Sequence, residues 1–208
     1  MINEFKIKGK IDELKKEINE LEKIINKTKK RSLPEELAIY LKEVEKRLKR
    51  YEKEIEDAEK ELHFYFLKRD IGIKEITIRE KVRNVKEDVR IEREKTEALL
   101  LVYDGNLSEA LTRVARFPED RGRYDLLQLI LSEYAKKEDW HGFYKTLDHF
   151  PSLEQKLKAV REVHLLVEGE EKKKTLERII KELEGKLNTL YSFYPSVYKN
   201  VPEIYVKR

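Results

Sequence analysis

From Ile7 onward the apolar residues Ile7, Ile11, Leu14, Ile18, Leu21 and Ile25 fall alternately four and three apart. That spacing gathers them on one stripe of a helix and leaves the other faces to charge, which is a heptad seam. A second seam runs Leu37, Leu41, Val44, Leu48, Tyr51, Ile55, Ala58, Leu62 and Tyr65 with the same alternation. Neither stripe is stable in water alone, so each requires a partner helix. The break between them, "NKTKKRSLPEE", is short. Ser32 can cap the new helix, and Pro34 is tolerated in its first turn because the missing N–H would be unpaired anyway. Two seams on a short connection predict an antiparallel coiled-coil hairpin over residues 1–70. The same seams pairing between two chains would give a homo-oligomer. Because an isolated two-helix seam buries little area, that alternative stays open.

The second half repeats itself. At an offset of 33 residues Phe117-Pro118 meets Phe150-Pro151, Leu107 meets Trp140, Ala110 meets Phe143, and Val114 meets Leu147. Upstream, Leu101 meets Tyr134 and Val102 meets Ala135. Each unit reads as a long helix, a polar turn ("DGN", "KED"), a shorter helix and a Phe-Pro corner. Gly105 can adopt a left-handed helix end, and Asn106 or Asp139 can cap the next helix. Proline pushes its predecessor out of helical geometry and so ends the short helix. "VREVHLLVEGEE" aligns as a weaker third copy, followed by an apolar stripe at Leu176, Ile179, Ile180 and Leu183. A period in this range predicts stacked helix pairs with atypical terminal units. The fold class expected is all-α: the hairpin, then a short α-solenoid of two to three helix pairs over residues 71–187. Between the halves, "IGIKEITI" (71–78) alternates like a strand, and so does "EFKIK" near the start, which would make a ribbon at the base of the hairpin. Ile78, Val82, Val85 and Val89 continue the four-three spacing instead. That reading, a long helix from about Lys74 to Tyr103, is favoured.

"DGNLSEAL", a glycine turn followed by a Glu-Ala-Leu helix start, resembles the tetratricopeptide-like repeat family over residues 88–184. In the second copy Trp140, Gly142 and Phe143 replace Leu107, Glu109 and Ala110. The resemblance implies a concave groove, lined by the first helix of each pair, that takes a partner protein's peptide or helix. Carried over by alignment, its lining would be Glu92 and Lys95, then Asp125, Gln128, Ser132 and Lys136, then Lys158 and Arg161. Lys95, Gln128 and Arg161 would form one row able to clamp an acidic or C-terminal peptide by charge-assisted hydrogen bonds. Charged helix faces are abundant throughout the chain, so the same residues also read as ordinary solvated surface.

Little in the sequence points to chemistry. There is no cysteine, which excludes disulfides, thiolate metal sites and cysteine nucleophiles. There is no Gly-rich phosphate loop, nucleophile elbow or His-Glu metalloprotease pattern. Of the four histidines, His63, His141, His149 and His164, His63 reads as a packed or partly exposed side chain. His141 and His149 are eight apart with Lys145 between them, a poor spacing for a metal. The expectation is no enzyme, no cofactor and no metal. Basic and acidic residues number 46 and 42, a net charge of only +4, so a bulk basic field is absent. One local cluster, Lys27, Lys29, Lys30 and Arg31, sits at the expected hairpin tip. It offers sequence-blind phosphate contacts to nucleic acid, or simply favourable charge at a helix C-terminus. It also resembles the basic tip of the tRNA-contacting arm of some aminoacyl-tRNA synthetases. A hairpin chaperone is a weaker reading, because its tip should be apolar. The Lys, Glu and Ile bias matches hyperthermophile usage. No apolar run approaches the ~20 residues that span a bilayer, and the first ten residues carry no signal core, so a cytoplasmic location without a membrane partner is expected. The tail 188–208, rich in Tyr and Pro, reads as a cap on the last repeat or as a partner motif. These features together predict a non-enzymatic interaction adaptor or assembly subunit, with nucleic-acid binding through the tip as the alternative.

Overall fold

The structure, a computed structural model, describes residues 2–68, 72–117 and 121–193. The fold is all-α. Among the described residues there are eight helices and no strand. They are α1 (Ile2–Lys29), α2 (Glu35–Lys68), α3 (Gly72–Tyr103), α4 (Leu107–Val114), α5 (Arg121–Lys136), α6 (Trp140–Leu147), α7 (Leu153–Leu166) and α8 (Glu170–Phe193). Residues 72–78 and the "EFKIK" stretch are helical, so the ribbon does not form. The four-three spacing of Ile78, Val82, Val85 and Val89 outweighs a short alternation, because it supplies a continuous apolar stripe.

The chain divides into two compact units, Met1–Thr96 and Glu97–Arg208. The division falls inside α3, beyond the boundary expected near residue 70. The reason lies in the third stripe. In the first unit the seams of α1 and α2 are buried from Ile7 to Ile25 and from Leu37 to Leu62, and Ile78, Val82, Val85 and Val89 of α3 are buried with them. A two-helix seam leaves one side of each apolar stripe wet, and a third stripe removes it from water at about 25 cal/mol per Å². Ion pairs set the register. Lys15 meets Glu59 at 2.6 Å and Lys29 meets Glu45, so α1 and α2 run antiparallel. Lys86 reaches Glu13 and Glu17 at 3.6 and 3.7 Å, and Arg93 reaches Glu20 at 3.3 Å, so α3 runs parallel to α1. Lys81 meets Glu61 at 3.0 Å on the α2 side.

One rung of the α1–α2 ladder is repulsive. Seven residues on from Lys15 stands Glu22, and seven before Glu59 stands Glu52. Burial, then the charges of Glu22 and Glu56, push the Glu52 carboxyl above its ordinary range. A carboxyl raised in the folded state contributes stability that is complete below its unfolded value and is lost as pH rises through the folded one. Glu22→Lys should therefore stabilise the protein at neutral pH by a few tenths of a kcal/mol, about the worth of an exposed pair. The gain should vanish as pH falls below the carboxylate range. Urea unfolding of both proteins across pH 3–8 checks this, and a gain that persists at pH 3 would refute it.

In the second unit the helix ends repeat as the sequence does. Asn106 N–H donates to Leu101 O at 2.8 Å and Asp139 N–H to Tyr134 O at 3.0 Å. Gly105 has φ 81° and Glu138, one period on, has φ 58°. The left-handed conformation is free at glycine and costs about 1 kcal/mol at glutamate. Each such turn receives a lysine from further along the chain: Lys137 Nζ donates to Gly105 O at 3.4 Å and Lys172 Nζ to Lys136 O at 2.7 Å. Asp139 caps α6 by accepting from Gly142 N–H at 3.0 Å, whereas Asn106 turns its amide to Glu109 at 2.9 Å instead. The corners match as well. Phe117 and Phe150 are both buried, and each donates its N–H three residues back, to Val114 O and Leu147 O; Pro118 lies outside the described residues. Packing links α4 to α5, α5 to α6, α5 to α7, and α7 to α8. The last helix has 24 residues against eight in α4 and α6. It carries helical structure through 188–193 of the stretch expected as a tail, and 194–208 lie outside the described residues.

Candidate functional site

Several of the residues expected to line a groove are engaged by neighbouring helices. Glu92 and Lys95 belong to the first unit and the other six to the second. Glu92 occupies the seam position after Val89 and faces α2: Arg47 Nη2 donates to its Oε2 at 3.1 Å, and Arg47 Nε lies 2.7 Å from Oε1. Lys95 is half-buried. Gln128 spends its amide on Ala159 O at 2.9 Å, tying α5 to α7. Arg161 is paired with Glu184 of α8 at 2.7 Å. Ser132 is buried. Lys136 meets Glu133 at 2.7 Å, and Lys158 meets Glu162 at 3.9 Å. Asp125 is exposed. Most of these polar groups hold the helices to themselves or to one another.

The basic tip is also partly spent. Lys29 is bonded to Glu45, while Lys27, Lys30 and Arg31 are exposed. The histidines do not converge. Burial, then the charge of Arg123, hold His149 below its usual range. His164 Nε2 lies 3.5 Å from Glu177, and His63 and His141 are exposed. Among the described residues no group of three or more His, Asp or Glu is placed to hold a metal ion. No helix of the described residues is long and apolar enough to cross a membrane.

The feature that sequence reasoning missed is an open groove of about 630 Å³ in the second unit. It is formed by one face of α8 and the start of α7. Leu153, Leu190 and Phe193 supply its apolar surface, Gly185 and Thr189 its floor, and Lys181, Glu182 and Lys186 its charge. Phe193 is 74% exposed. The packing of α8 on α7 sets the geometry: Leu176, Ile179, Leu183 and Leu187 are buried, and Tyr191 reaches Glu154 of α7 at 3.3 Å. Leu190 continues this stripe, so the groove lies along its edge, where Phe193 is the exposed aromatic. The signal was present in the spacing of Gly185, Thr189 and Phe193, four apart, but the three residue types do not announce a stripe. Comparison with protein-family models, with curated proteins and with solved structures gives no match for this chain.

Proposed function

We propose that this protein is a non-enzymatic adaptor or assembly subunit whose second unit binds another protein. The α8 groove carries that reading. It offers aromatic and aliphatic surface beside Gly185, a helical glycine where an added Cβ would meet nothing within 4 Å. Buried aromatic anchors ringed by charge are the usual source of binding energy between proteins. The tetratricopeptide-like resemblance supports the same class of function, although by a different surface from the one it implies. The test is capture from a native lysate with the full chain as bait, with half the sample treated with nuclease. A defined protein should survive nuclease and moderate salt, and Phe193→Glu should reduce its recovery at least tenfold. Loss of the capture on nuclease treatment, or indifference to Phe193→Glu, would overturn the reading.

A further inference from the structure

The charge of this protein is unevenly spent. Residues 1–96 hold 27 basic and 23 acidic side chains, whereas residues 97–208 hold 19 of each. The whole net charge of +4 therefore sits in the first unit. Its distribution within that unit follows from packing. On α1 the acids Glu13, Glu17 and Glu20 are engaged by Lys86 and Arg93 of α3. Lys15 and Lys29 are engaged by Glu59 and Glu45 of α2. Beyond the exposed Lys6, Lys8 and Lys10 near the start of α1, four more exposed lysines follow: Lys16, Lys23 and Lys27 on α1, with Lys30 just past its end. None has an ion partner among the described residues. Their spacings of seven, four and three put them on one ridge, directly opposite the buried seam, which rises about 21 Å at 1.5 Å per residue. Between them on that ridge stand Asn19 and Asn26, and Glu20, which Arg93 already neutralises. On α2, Lys42, Lys49 and Lys53 repeat the pattern, exposed and in no salt bridge among the described residues.

We propose that the α1 ridge Lys16–Lys23–Lys27–Lys30 is a docking surface for the phosphodiester backbone of a nucleic-acid duplex. Neighbouring ridge lysines stand about 5–10 Å apart along the axis, within roughly one screening length at physiological salt, so their fields add. A straight, rigid row of ammonium groups suits a duplex strand, whose phosphates recur at fixed intervals. Single strands are bound by stacking bases on aromatic rings, and the ridge from Lys16 to Lys30 contains no aromatic residue. With no side chain placed to read base edges, recognition is sequence-blind and salt-dependent. The surface differs from the expected tip cluster. It keeps Lys27 and Lys30, drops the engaged Lys29, and extends two turns and more down the helix to Lys16.

The experiment is fluorescence anisotropy of the full chain with a labelled DNA duplex of about 24 base pairs, a little over two helical turns, and its RNA counterpart, over about 50–300 mM KCl. The wild-type chain is expected to bind one or both with micromolar affinity at the lowest salt. Lys23→Glu/Lys27→Glu should weaken binding at least tenfold and lower the log–log salt slope by about 2, the loss of two phosphate contacts. Lys145→Glu/Lys173→Glu, which makes the same change in net charge on the second unit, should leave affinity within about twofold. Lys23→Gln/Lys27→Gln, with far-ultraviolet circular dichroism on every variant, separates lost contacts from lost helix. Preference for one duplex would assign the source of the phosphates. Absence of binding to either duplex, equal losses in the ridge and control variants, or ridge-dependent binding of polyglutamate without duplex binding would overturn the proposal.

Discussion

Replacing Gly142 by alanine is expected to destabilise the protein by about 1–3 kcal/mol, although alanine is the better helix former. Gly142 lies in the first turn of α6 and is buried. A Cβ there would stand 2.2 Å from Cε1 and 2.5 Å from Cδ1 of Tyr134. The Tyr134 ring is itself only 7% exposed, so it has little room to retreat. The first repeat shows why the glycine is needed: Tyr134 takes the place of Leu101 and Gly142 the place of Glu109. The larger ring of the second repeat is accommodated by removing a side chain opposite it. Three companion proteins, Tyr134→Leu among them, make the cause testable. Tyr134→Leu/Gly142→Ala should recover at least about 1 kcal/mol relative to the sum of the single changes, as contacting residues do in a double-mutant cycle. Gly185→Ala, on an exposed face of α8 where the added Cβ would meet nothing within 4 Å, should gain up to about 1 kcal/mol from helix propensity alone. Thermal or urea unfolding reads all four variants. A stabilising Gly142→Ala would show that the ring moves aside freely.

Gly142 also marks the limit of what periodicity reveals. The heptad seams of α1 and α2 are legible because every seam position is Ile, Leu, Val, Tyr or Ala, and all of those described are buried. The 33-residue offset is legible because turn and corner residues recur where backbone geometry demands them: Gly105 adopts the left-handed conformation, and Phe117 and Phe150 close the corners. The participation of α3 in the first unit was not legible, because its apolar stripe stops at Val89 and the next seam residues are Glu92 and Thr96. The partners of the expected groove donors were not legible for a related reason. Alignment can say which residues share a helix face, but not that Gln128 will find the carbonyl of Ala159 within 2.9 Å. The lysine ridge needed the opposite information. All four residues are visible in the sequence, yet only the pairings of Glu13, Glu17 and Glu20 show that the acids near them are already engaged.

The charged break in the α3 stripe gives the second large effect. Glu92→Leu should destabilise the protein by about 2–3 kcal/mol, because it leaves the Arg47 guanidinium without its carboxylate in a half-buried setting. The side chains of Arg47 and Glu92 are 32% and 14% exposed, which places the cost below that of a fully buried pair. Arg47→Leu/Glu92→Leu should recover most of the loss, since two leucines continue the stripe with no charge to desolvate. A third group reports on the same site. Burial first, and then the Glu92 charge, push the Tyr40 phenol up to about 12. Because that value lies above the unfolded one, the associated stability is complete below about pH 10 and is lost as pH rises toward about 12. Removing Glu92 alone should bring the phenol down, so ultraviolet titration at alkaline pH should show one tyrosine ionising earlier in Glu92→Leu, whereas Arg47→Leu/Glu92→Leu, which also loses the Arg47 charge that lowers the phenol, should reverse part of that shift. If Glu92→Leu alone left stability and the Tyr40 titration unchanged, the pair would be surface decoration. If the double variant were no better than the single one, the Arg47 charge would not be the source of the cost. The expected pattern, a large loss, a recovery and a Tyr40 shift that is larger in the single variant than in the double, requires that Arg47, Glu92 and Tyr40 act as one cluster between α2 and α3.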